Sequence, residues 1–215
     1  MARPRTASDA RILEATRRAV ARVGPYRMTL ADVEREAGIT ASAIVQRFGS
    51  KRALLLRLVA DGAAQAGSAL APKRGEAPLD VLVDGLAREA SFATPESIAG
   101  SLAFLGLDVA DDAFRKHALA FLAARGEAVR ALLRRARRRG DLARVEIDAL
   151  ARSVEVAYHG SLIRWALARE GPASDEVRRD IEAVLAPHRR VKGTAGGRGV
   201  HGRARPRDVR SSGNR

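Results

Sequence analysis

A chain of 215 residues with no cysteine and a net charge of +14 has no disulfide framework and no thiolate metal site. Its opening residues lead into a charged amphipathic segment, not an apolar leader core. Its most apolar uncharged run, 97–107, falls far short of the roughly 20 residues a membrane helix needs. These features predict a cytoplasmic protein with no membrane partner and enough length to bury a real core.

The charge is unevenly placed. Residues 1–57 hold 12 basic and 5 acidic side chains, residues 58–188 hold 18 and 19, and residues 189–215 hold 9 and 1. A basic head and tail around a neutral body point to a polyanionic partner for the ends. Solubility alone is the alternative reading of that charge.

In chain order the apolar spacing is helical almost throughout. Thr6 to Asp9 reads as a capping box with Asp in the usual Glu place, opening a helix that carries Ile12, Thr16, Ala19, Val20 and Val23 and stops at Gly24-Pro25. Thr29 caps a second helix over 30–37, closed by Gly38. Thr40 caps a third, 41–48, and a fourth begins at Lys51 and runs to about Leu70. After the loop at 71–78, helices are predicted at 79–92, 95–107, 111–139, 146–169 and 174–186, with Thr94-Pro95 a start signal and Gly140, Gly171-Pro172 and Pro187 as stops. The tail has no apolar periodicity and is expected to be disordered. The fold class is therefore all-α with about nine helices. Its expected parts are a head over 1–57, a larger helical body over 58–187 and a basic tail over 188–215.

Residues 30–48 have the dimensions of a helix-turn-helix. On the third helix Ile44 and Phe48 lie four apart and must face inward, which leaves Ser42, Ala43, Gln46 and Arg47 on the outer stripe. Small side chains allow close approach to base edges. Gln46 can donate to and accept from adenine, and Arg47 suits a phosphate or a guanine. Lys51 and Arg52 stand at the amino end of the fourth helix, where free amides favour a phosphate. An ordinary three-helix core with a solvated polar face is the competing reading.

The stretch MTLADVEREAGITASAIVQRFGSKRALLLRLV, 28–59, resembles the DNA-binding head of tetracycline-repressor (TetR) family regulators. The resemblance rests on Thr29, Ala37-Gly38, Thr40, Ile44, Phe48, Ser50-Lys51 and Leu54, spans 9–59, and extends loosely to about 187 through helix number and length. Val45 and Arg47 depart from it, standing where the family commonly has Tyr, and Tyr or His. The resemblance implies a homodimeric, ligand-responsive transcription regulator, usually a repressor, acting on a palindromic double-stranded operator. Thr29, Thr40, Ala41, Ser42, Ala43, Gln46, Arg47 and Lys51 are the predicted DNA-facing residues.

In the body the resemblance implies an effector cavity, and Phe104, Phe121, Tyr158 and Trp165 are the candidate lining residues, though each also suits plain core packing. Few polar groups are available there, so the expected effector is small and hydrophobic. His117 and His159 have no metal-ligand spacing, and no cofactor is predicted. The helix at 146–169 carries two apolar stripes and so needs two partners. The second partner is expected to be another subunit, met through Val154, Leu162, Val177, Ile181 and Leu185. Burial of both stripes inside one subunit is the alternative. The run Arg134 to Arg139 reads first as a solvated helix end.

A non-specific architectural nucleic-acid binder acting through its Arg-rich segments is the rival function. An enzyme is not expected, since no Ser/His/Asp grouping, phosphate-cradling loop or metal spacing is present.

Overall fold

The computed structural model describes residues 8–72 and 75–190. Among them are nine α-helices and no strand: α1 Asp9–Arg27, α2 Leu30–Ala37, α3 Ala41–Phe48, α4 Lys51–Gln65, α5 Pro78–Ala90, α6 Pro95–Ala110, α7 Asp112–Arg138, α8 Ile147–Ala168 and α9 Ala173–Leu185. No described helix is long and apolar enough to cross a membrane. The expected all-α architecture is the observed one, with differences at three places.

The cap of α1 is Ser8, whose hydroxyl accepts from the Arg11 amide; Thr6 lies outside the described residues. Past Gly24, where the backbone leaves helical geometry, α1 continues through Pro25 for one more turn to Arg27. The fourth helix ends at Gln65, earlier than its apolar residues suggested. The chain then turns through a single 3-10 turn, Ser68–Leu70, which buries Leu70 in the body core. The segment 191–215, and with it most of the expected basic tail, lies outside the described residues.

Two apolar cores form. One gathers Ile12, Ala19, Val20, Met28, Val33, Ile44, Leu54 and Leu58 from α1 to α4, together with Phe114 from α7. The other gathers Leu82 and Leu86 of α5, Val129, Leu132 and Leu133 of α7, Val154 of α8, and Val177, Ile181 and Leu185 of α9. The long helix α7 thus serves both, its first turns in one core and its later turns in the other. The helix α6 lies tight on α1 at Gly100: a Cβ there would sit 3.3 Å from Ala21 Cα and Val20 O, so a side chain at this position would need α1 to give by a few tenths of an ångström.

Candidate nucleic-acid interface

The α2–α3 unit is fixed by local chemistry. The Thr29 hydroxyl accepts from the Asp32 amide at 3.2 Å and donates to Asp32 Oδ2 at 2.7 Å, while the Thr29 amide donates to the same oxygen at 2.8 Å. These bonds hold the Asp32 carboxyl far below the usual carboxylate range, the side-chain bond from Thr29 contributing most. Gly38 closes α2 in the left-handed conformation, at φ 69°, and its amide donates to the Glu34 carbonyl. Glu34 then accepts from the Ala41 amide, and the Thr40 hydroxyl caps α3 by accepting from the Ala43 amide. The turn between the two helices is therefore bonded from both sides.

On α3, Ile44 is buried and Phe48 half-buried against the core, so the opposite face turns outward. Ser42 and Gln46 are exposed there, Ala41 and Ala43 are half-buried beside them, and Val45 is exposed on the same side. Ser42 Oγ lies 3.0 Å from the Thr40 hydroxyl. Thr29 is exposed, but its hydroxyl is committed twice to Asp32.

The cations expected to meet DNA, Arg47 on α3 and Lys51 and Arg52 at the start of α4, are all engaged within the chain. Arg47 Nε is 2.7 Å from Asp9 Oδ1, which ties the end of α3 to the start of α1. Lys51 Nζ donates to the Tyr26 carbonyl at 2.9 Å, placing its charge at the corner between α1 and α2. The neighbouring Arg27 is exposed in the last turn of α1, two residues before the Thr29 cap. Sequence reading passed over Arg27 because it falls in what was taken as a turn. Its place beside a helix amino terminus is the signal that marks it. Arg52 does not join this group. It turns away to Asp111, the cap of α7, with both contacts to that carboxylate under 3 Å.

Two groups of predicted residues are placed otherwise than expected. The four aromatics do not come together: Phe104 packs on the head-side core, its ring 6.4 Å from Phe114, while Tyr158 is buried in the body core and Trp165 packs against that core with its indole N–H donating to the Gly171 carbonyl. Phe121 is half-buried on α7. Val154, Val177, Ile181 and Leu185 are fully buried inside the subunit, and Leu162 nearly so; they are not a surface that a second copy could meet. The helix α9 has one apolar stripe and spends it on its own core. The other stripe of α8 is the exposed one, with Val156 68 %, Ile163 39 % and Leu167 80 % accessible.

Residues 12–58 match the family model described as bacterial regulatory proteins, tetR family. Comparison with curated proteins gives no match. Among solved structures, the chain is similar to a TetR transcription regulator from Haloarcula marismortui ATCC 43049, at 17% identity, with 85% of this chain and 98% of that chain covered and a TM-score of 0.72. A structure from Saccharomonospora viridis, described as a transcriptional regulator in complex with choline, matches at 18% identity, covering 85% and 98%, with a TM-score of 0.72. SmeT, the repressor of the Stenotrophomonas maltophilia multidrug efflux pump SmeDEF, matches at 19% identity, covering 89% and 97%, with a TM-score of 0.63.

Proposed function

We propose, from the match of residues 12–58 to the tetR family model, that the chain is a cytoplasmic repressor of that family. In this reading it binds a palindromic operator as a homodimer and leaves it when a small molecule occupies its body. The observation that carries the reading is the outward face of α3: Ser42 and Gln46 exposed, beside half-buried Ala41 and Ala43, on a helix pinned at both ends. Such a face suits close approach to the major groove, with Gln46 supplying paired donor and acceptor.

The division of labour follows the same reading. Residues 1–57 read DNA, 58–187 bind effector and partner, and the basic 188–215 adds background affinity. Arg27 and Lys51 hold phosphate at the α1–α2 corner, and Arg47 reaches the backbone when it exchanges Asp9 for DNA. The dimer seam is the exposed α8 stripe of Val156, Gly160, Ile163 and Leu167, where Gly160 has no neighbour within 4 Å of a built Cβ and leaves room for a facing helix. The choline complex of the Saccharomonospora viridis relative supports a small-molecule response in this fold.

Selection of bound sequences from randomised duplex DNA tests the proposal. Enrichment of two inverted half-sites about one helical turn apart is the expected outcome. Binding without enrichment, with affinity set only by salt, would instead identify a non-specific architectural protein.

A further inference from the structure

Arg125 lies on the core stripe of α7, in register with Val129, Leu132 and Ala136, and its side chain is only 2 % exposed. A guanidinium is buried at such depth only where charged partners answer it. Nη1 donates to both oxygens of Glu89 on α5, at 2.9 and 2.8 Å, and Nε donates to Glu155 Oε2 on α8 at 3.0 Å. The guanidinium carbon lies 4.1 Å from the centre of the Tyr158 ring.

Two buried polar atoms of this cluster have no hydrogen-bond partner among the described residues: Arg125 Nη2, a donor, and Glu155 Oε1, an acceptor. Nη2 shares its carbon with Nε, and Oε1 shares its carbon with Oε2. Both orphan atoms therefore flank the one Nε–Oε2 contact, so one donor and one acceptor on a single small molecule would satisfy both. Around this floor the side chains are more exposed, Glu155 to 16 %, Glu89 to 38 % and His159 to 48 %.

Charge decides what such a molecule should be. Two carboxylates face one guanidinium, so the ionised cluster carries one negative charge in excess. Burial raises the Glu155 carboxyl above its ordinary value, and Arg125 offsets only part of that rise. His159 does not supply the missing positive charge, because burial and then Arg125 hold its imidazole below its usual value. An anion would meet two carboxylates. A purely apolar molecule would leave both orphan atoms unsatisfied.

We propose that the Glu89–Arg125–Glu155 cluster binds a small primary amine that carries a neutral oxygen near its nitrogen, the ammonium donating to Glu155 Oε1 and the oxygen accepting from Arg125 Nη2. This rests on the effector-responsive reading and replaces the hydrophobic effector expected from sequence with a polar, cationic one. The cluster joins α5, α7 and α8, so an occupant bonded to Arg125 and Glu155 engages α7 and α8 directly and α5 through the Arg125–Glu89 pair.

The test is calorimetric titration of the full chain with 2-aminoethanol hydrochloride, alongside sodium glycolate and ethylene glycol as anionic and neutral counterparts, all at matched ionic strength. The expected result is saturable binding of 2-aminoethanol alone, weakened at least tenfold by Glu155→Gln and also weakened by Glu89→Gln, which removes the excess charge from the rim. Cooperative melting verifies that each variant is folded. If Glu155→Gln fails to fold, Glu89→Gln decides. No saturable binding of 2-aminoethanol, equal or tighter binding of glycolate, or unchanged affinity in the folded variants overturns the proposal. Sequence-selective DNA binding is measured on the same samples. Its presence without amine binding removes only this site, while its absence removes the regulator reading.

Discussion

Arg52 and Asp111 join α4 to the start of α7. Arg52 stands in the first turn of α4, and its Nη2 lies 2.9 and 2.7 Å from the two carboxylate oxygens of Asp111, at the junction of α6 and α7. The guanidinium also lies 5.7 Å from the centre of the Phe114 ring. Asp111 has a second duty, accepting from the Ala113 amide as the cap of α7. Asp111→Ala is therefore expected to lower the urea midpoint more than Arg52→Ala does, since only the former removes a helix cap as well as an ion pair. Equal effects in denaturation would mean that the cap contributes nothing.

Gln46 is exposed in the middle of the outward face of α3. If it pairs with a base edge, Gln46→Ala should relax preference at particular operator positions by about 1–3 kcal/mol while leaving random DNA unaffected. Competition titrations over single-base operator variants read this directly. Uniform weakening across all of them would exclude base readout.

In the proposed reading Lys51 and Arg27 address phosphate, not sequence. Each replaced by Ala should weaken operator and random duplex alike, and each should flatten the log–log salt dependence by about one unit. An unchanged slope for Lys51→Ala would mean that its bond to the Tyr26 carbonyl persists on DNA and that the lysine is a structural tie between α1 and α4.

The parts of this structure legible in the sequence are those set by neighbours a few residues apart. Thr29 and Asp32, Gly38, Thr40 and the Thr94-Pro95 start are local devices, and the helices they bound lie close to where spacing put them. What was not legible depends on distant partners. Nothing near Arg52 signals a carboxylate 59 positions away. The two apolar stripes of α8 are equivalent in sequence, and only packing against α6, α7 and α9 decides which turns inward. Arg125 stands in the same helical register as Val129 and Ala136, but its charge alone gives no sign of burial, because the carboxylates that answer it lie on α5 and α8, 36 and 30 positions away.

Asp32 provides a pH prediction. Its carboxyl is depressed below the model-peptide value of 3.8, first by the Thr29 hydroxyl and amide and then by Arg22. A group depressed on folding stabilises the folded state above its unfolded pKa, and that contribution is lost as pH falls toward the folded value. Acid titration below about pH 4 should thus loosen α2 and the Thr29 turn, and Asp32→Asn should remove most of the dependence in that window while lowering stability at neutral pH. Amide exchange of the Asp32 and Val33 N–H groups is the measurement. Identical acid sensitivity in the variant would place the effect elsewhere.

The dimer seam separates two variants that sequence alone would have treated alike. Ile181 is fully buried on α9, so Ile181→Asp puts an unpaired charge in the subunit's own core, at a cost of several kcal/mol on the order of total stability, and should abolish cooperative melting. Val156 is exposed on α8, in line with Gly160, Ile163 and Leu167. In a monomer Val156→Asp keeps its charge in water and costs little. In a two-fold seam the same charge loses its water twice over and meets its own copy. The variant should therefore keep its helical signal and melting temperature as a monomer, sediment as one subunit, and bind a full operator hardly better than a half-site. A Val156→Asp protein that still sediments as a dimer would move the seam off α8. A wild-type protein that is monomeric on its operator would remove the dimer altogether.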